Sequence, residues 1–228
     1  NIIIAFFYYE SLNDYKNALK YINKSLKLEE NGLALYLKSK WSKDKTESIE
    51  SLSKAVKIDP NNAIYHYEKG KQLINLHDYN NALIHFNKSL EIIKKSGDLI
   101  FISNNIYLQD ITYYFELNDL FLDLYRSLAY ISIKTNDYIN AIRYYKKIIK
   151  IQDSPDLNIK IAELFEKAKI FDSVILYNNN ARNQIIKRGP NPQGGTIHYS
   201  LDSINNIIAK SNVKINNYSL IKNSLSIK

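Results

Sequence analysis

The sequence predicts an all-α solenoid of antiparallel helix pairs with a C-terminal extension. Three observations carry that expectation. First, a phrase recurs. NDYKNALKYINKSLKL from Asn13 and HDYNNALIHFNKSLEI from His77 share Asp-Tyr, Asn-Ala-Leu and Asn-Lys-Ser-Leu at identical spacing. A third copy, NDYINAIRYYKKIIKI, starts at Asn136, and weaker copies start at Asp44 and Phe171. Second, small and apolar residues within each copy fall three or four apart, as on one helix face. Another helical stretch precedes each copy, for example AIYHYEKGKQLINL ending at Leu76. Third, the chain has only 6 glycines and 4 prolines, and half of each lie in RGPNPQGGT, Arg188 to Thr196. That stretch reads as a helix stop and linker.

The copies divide the 228 residues in order. Residues 1–96 hold three helix pairs. The first pair begins partway through its first helix, and Asn1 is no initiator, so upstream sequence is expected. Ile2 to Tyr9 is apolar but has no basic segment before it, which argues against a retained signal peptide. The second pair is short by roughly four residues between Trp41 and Asp44, which predicts a truncated first helix. Residues 97–121 do not fit the repeat. They carry Asp98, Asp110, Glu116 and Asp119, no Lys or Arg, and many aromatics. This irregular helical segment is either a compressed repeat or a break between two short stacks. Two more pairs follow over 122–188, then the linker at 189–199. Residues 200–228 form a C-terminal helical extension or the start of a further domain. Leu201, Ile204, Ile207 and Ile208 suit a short amphipathic helix. Val213 to Ile227 fits strand or helix.

The pattern resembles the tetratricopeptide repeat family, a helix–turn–helix of about 34 residues. The best copy, Ala63 to Ser96, has Gly70, Leu73, Tyr79, Ala82, Phe86 and Ser89 in place. The copy from Leu122 has Leu128, Ala129, Tyr138, Ala141 and Tyr145. The one from Pro155 has Ala162, Phe165, Phe171 and Ala181. Ala82 and Ala141 are expected where paired helices cross closely, with Gly70 and Ala129 facing them. One repeat cannot bury its apolar face alone, so the copies are expected to stack.

The resemblance implies protein binding in a concave groove lined by the first helix of each pair. Projecting the repeat phase puts Phe7, Trp41, Tyr67, Lys71, Arg126, Tyr130 and Lys134 on that surface. The set is aromatic and basic, and suits an extended peptide or helix with acidic and apolar side chains. Some of the aromatics are alternatively packing between repeats. Certain family members clamp a C-terminal carboxylate. At those positions this chain has Ile3 and Phe7, Leu37 and Trp41, Tyr67 and Lys71, so the full clamp is absent.

Catalysis has no visible constellation. With 0 cysteines there are no disulfides, thiolate zinc sites or cysteine nucleophiles. Gly189 to Thr196 lacks the lysine that a phosphate loop needs, because Gly195 stands there. His66 and His85 lie on different helices of one pair and are expected to pack rather than bind metal. Glu163 and Glu166 read as a solvated edge. No apolar run spans a membrane. Neither a cofactor nor a small-molecule substrate is implied.

The net charge of +8 comes from 27 lysines and 4 arginines. Heavy use of Lys, Asn, Ile and Tyr reads partly as A/T-rich coding. Arg143, Lys146, Lys147 and Lys150 share one helix face, expected on the outer wall as solvated charge. The expected function is a protein-binding scaffold or adaptor. One alternative is a sensor or scaffold arm of a larger signalling or catalytic protein. A weaker one is a nucleic-acid binder through lysine-rich faces.

Overall fold

The computed structural model describes residues 1–96, 117–188 and 201–225. The irregular segment up to residue 116 and the Gly/Pro linker lie outside the described residues. Among the described residues every regular element is an α-helix. In order they are α1 (Ile2–Glu10), α2 (Tyr15–Leu28), α3 (Gly32–Trp41), α4 (Lys45–Ile58), α5 (Ala63–Asn75) and α6 (Tyr79–Ser96). Then come α7 (Leu117–Lys134), α8 (Tyr138–Ile151), α9 (Pro155–Lys167), α10 (Phe171–Arg188) and α11 (Leu201–Leu225).

The recurring phrase has a local cause. In the three best copies an aspartate caps the second helix and its carboxylate takes two bonds from the asparagine three residues on. Asp14 accepts from the Asn17 backbone N–H at 3.0 Å and from its side-chain amide at 2.7 Å. Asp78 does the same with Asn81 at 3.2 and 2.7 Å. Asp137 repeats it with Asn140 at 3.1 and 2.5 Å. Each pairing satisfies an amide that the helix start leaves orphaned.

The preceding turn recurs too. Asn13, His77, Asn136 and Lys169 adopt φ of 53°, 60°, 59° and 62°. In three of these turns the first helix closes with the paired bonds of a left-handed C-cap. His77 and Asp78 donate to the Ile74 and Leu73 carbonyls, each at 2.9 Å. Asn136 with Asp137, and Lys169 with Ile170, bond in the same pattern. The chain therefore reverses within the three residues that join the helices, and the helices of a pair lie antiparallel.

The chain divides into two compact units, Asn1–Leu124 and Tyr125–Lys228. In the first, α1 packs on α2, α3 on α4 and α5 on α6, while α2 meets α3 and α4 meets α5. Its core holds Ala18, Ile22, Leu52, Ile64, Ala82 and Phe86, all fully buried. At Gly70 an added Cβ would stand 2.6 Å from the Phe86 ring, so α5 and α6 approach closely only because that side chain is missing. The second pair does have a short first helix, 10 residues in α3 against 13 in α5.

In the second unit Ala141 and Ile142 of α8 pack with Ile161, Ala162 and Phe165 of α9 and Val174 of α10. Ile204 of α11 completes a neighbouring cluster with Ile159, Ala181 and Ile185. Residues 213–225, open to either strand or helix on sequence, continue α11.

Candidate partner-binding surface

On α5, Tyr67 and Lys71 lie one helical turn apart. The Lys71 ammonium sits 5.0 Å from the Tyr67 ring centre and pairs with Glu68 at 3.1 Å. Tyr67 itself is only 5% exposed. Its hydroxyl donates to Asp123 at 3.3 Å. Trp41 is also 5% exposed. Its ring stacks on Tyr9 at 4.4 Å and tilts against Phe6 at 6.0 Å. Trp41 and Tyr67 therefore pack between helices and present little surface, a correction to placing both on an open groove. The physical reason is size: wide rings on first helices fill the gap to the neighbouring element before they reach solvent. Phe7, 56% exposed, and Lys71 remain accessible in this unit.

In the second unit Arg126, Tyr130 and Lys134 stand at intervals of four along α7, on one face. Tyr130 is 41% exposed. Lys134 lies over its ring at 5.4 Å. The Arg126 guanidinium donates to Gln152 at 3.4 Å. Arg126 and Lys134 are exposed. The structure thus holds these three together, whereas Phe7, Trp41, Tyr67 and Lys71 belong to the other unit.

On the charged face of α8, Arg143, Lys146, Lys147 and Lys150 are all exposed. The Lys146 ammonium also lies 5.2 Å from the Phe165 ring and 5.7 Å from Tyr177.

Two features escaped the sequence reading. His66 and His85 do pack, and they bond to each other: their Nδ1 atoms are 2.9 Å apart, and His66 Nε2 is 3.0 Å from the Pro60 carbonyl. A carbonyl can only accept, so His66 carries its proton on Nε2, and its Nδ1 accepts from His85 Nδ1–H. Burial depresses both imidazoles, His85 to about 4. No group of metal-ligating side chains accompanies them among the described residues. The second feature is a lysine row on α2, signalled only by the lack of any acid within that helix.

Shallow cavities open between neighbouring helices. One of about 580 Å³ lies among α2, α3 and α4 and is lined by Lys27, Glu30, Lys38, Glu47, Glu50 and Lys54. Its charges are largely matched, with Lys38 on Glu47 at 3.0 Å. Another of about 450 Å³ lies among α8, α9 and α10 and is rich in amides. There Asn158 donates to Asp153 at 3.0 Å and to Gln184 at 3.2 Å.

A family model for the tetratricopeptide repeat matches residues 7–31, 42–62 and 122–155. No curated protein sequence matches the chain. Among solved structures, MamA is similar at 20% identity, covering 79% of this chain and 94% of MamA, with a TM-score of 0.58. The type IV pilus biogenesis factor PilW is 18% identical over 80% of this chain and 75% of its own, at a TM-score of 0.52. A chain of the Naa15/Naa10 complex bound to HypK is 15% identical, at a TM-score of 0.62. It aligns over 99% of this chain but 30% of its own length. At these identities the likeness establishes the fold, a helical repeat solenoid.

Proposed function

We propose, from the premise that this chain carries tetratricopeptide repeats, that it is a scaffold binding another protein through the exposed faces of its first helices. The observation that carries the reading is the face of α7, where Arg126, Tyr130 and Lys134 stand in line. An exposed ring beside two cations offers apolar area at low entropy cost together with charge for acidic side chains. In the first unit Phe7 of α1 and Lys71 of α5 are each exposed, the latter paired with Glu68. The solved Naa15/Naa10 structure is bound to HypK-THB, which supports a binding role for such folds. The ligand class we infer is an extended or helical segment with acidic and apolar residues.

The test is a set of labelled peptides alternating acidic and apolar residues, titrated against the whole chain by fluorescence anisotropy. Tyr130→Ala should weaken the best binder by roughly 1–2 kcal/mol, and Lys134→Glu by a similar amount. Lys71→Glu probes the first unit separately. Unchanged affinity in all three variants would remove the first-helix faces from the binding site. Tyr67 is unsuitable as a probe because its burial ties substitution to stability.

A further inference from the structure

Helix α2 carries Lys16, Lys20, Lys24 and Lys27 on one exposed face. At helical rise the row is about 16 Å long. Among the described residues none of the four makes an ion pair. The nearby carboxylates are engaged or off the face: Asp14 is bonded to Asn17, Glu30 pairs with Lys54 at 3.9 Å, and Glu29 lies beyond the helix end in extended backbone. Exposed Leu12 and Tyr15 precede the row, and Leu28, 80% exposed, follows it. The shallow hollow along the row is lined by Lys16, Leu19, Lys20, Asn23, Lys24 and Lys27, all from α2. It has no second wall with which to grip a strand or a helix.

The arrangement recurs within the chain. In α8, Arg143, Lys147 and Lys150 occupy the places of Lys20, Lys24 and Lys27. That helix also lacks acids, and exposed Ile139 and Ile151 stand at its ends. It is not a general property of second helices. In α6, Glu91 takes the place of Lys27 and pairs with Lys88 at 3.3 Å and Lys95 at 2.6 Å.

We propose that the outer face of α2 docks on a lipid bilayer bearing anionic headgroups. A flat, single-helix row of ammonium groups matches a plane of phosphates, and each lysine near such a surface is worth about 1 kcal/mol. Leu12 and Leu28 are placed to enter the interface at the ends of the row, while Tyr15 turns to the other side of α2, against the Tyr9 ring at 5.2 Å. Nucleic acid is the poorer fit. α2 has no arginine fork, and its one inward ring, Tyr21, is already stacked on Tyr8 at 5.4 Å beneath Lys24.

The experiment is co-sedimentation of the whole chain with phosphatidylcholine vesicles, with and without phosphatidylglycerol. Binding is expected to anionic vesicles only, and to disappear at high salt. Lys16→Gln, Lys20→Gln, Lys24→Gln and Lys27→Gln, introduced one after another, should each cost about fivefold in partitioning. Leu28→Ser should weaken binding at unchanged charge. Lys88→Gln with Lys95→Gln, both paired with Glu91, should not. Glutamine keeps helix propensity, and circular dichroism verifies the fold. Absence of wild-type binding to anionic vesicles at low salt overturns the proposal. So does equal binding by the fourfold variant, or displacement from vesicles by duplex DNA or an acidic peptide at matched charge. The peptide titrations on Tyr130 and Lys134 report on the first helices alone, so failure of one reading leaves the other standing.

Discussion

Gly70 shows how one atom sets the distance between two helices. Alanine there would gain helix propensity of about 1 kcal/mol, but its methyl would stand 2.6 Å from the Phe86 ring. Phe86 is fully buried and has no room to swing away. Gly70→Ala should therefore destabilise by roughly 1–3 kcal/mol, read in a thermal or urea melt. At His77 the sign reverses. Its φ of 60° is a conformation that a β-carbon resists. His77→Gly should relieve that strain and hold or raise the melting temperature, although the unfolded chain gains entropy in return. A stable Gly70→Ala protein would mean that α5 and α6 can part without cost, against the packing described above.

At the scale of elements, α5 and α6 are joined by the His66–His85 bond as well as by apolar contact. Desolvation is the first cause of the depression at both rings. An unfolded imidazole titrates near 6.5, whereas folded His85 titrates at about 4. Between those values the unfolded chain binds more protons than the folded one, so stability falls as pH drops below 6.5 and is fully present above it. Both rings keep some solvent contact, so the fall should stay below about 1.4 kcal/mol per pH unit for each histidine. Melting temperatures between pH 7 and 4.5 check it. The decline should be shallower in His85→Gln, whose amide does not titrate. Identical profiles would show that the His66–His85 pair does not couple folding to protons. Those caps weaken lower down, because bonds from Asn17 and Asn81 hold Asp14 and Asp78 below the usual carboxylate range.

Within each unit stacking is local: neighbouring helix pairs meet through α2 and α3, α4 and α5, or α8 and α9, and bury apolar faces against each other. The end of such a stack needs a cover. In the second unit α11 supplies it: Ile204 is fully buried with Ile159, Ala181 and Ile185, and Lys214 pairs with Glu166. Deleting residues 201–228 should uncover that cluster, lower the melting temperature and raise amide exchange in α9 and α10 more than in α3 and α4. Uniform exchange in both units would show that α11 does not stabilise its neighbours.

Sequence alone determined the repeat, its phase and its pairing. The reason is that capping, turn reversal and helical periodicity are short-range and are written within each copy: Asp137 and Asn140 are three residues apart, Asn136 one before. It also placed Arg126, Tyr130 and Lys134 on one face, because they share one helix. The tertiary structure alone decided which rings see solvent. Trp41 and Tyr130 read alike as first-helix aromatics, but Trp41 meets Tyr9 and Phe6 of α1, and Tyr130 lies in the open beneath Lys134. The His66–His85 bond likewise needs two helices brought to 2.9 Å at that pair of atoms, a separation that no spacing along the chain encodes. Burial depends on what a neighbouring element brings into contact, and that neighbour is chosen by packing rather than by adjacency in sequence.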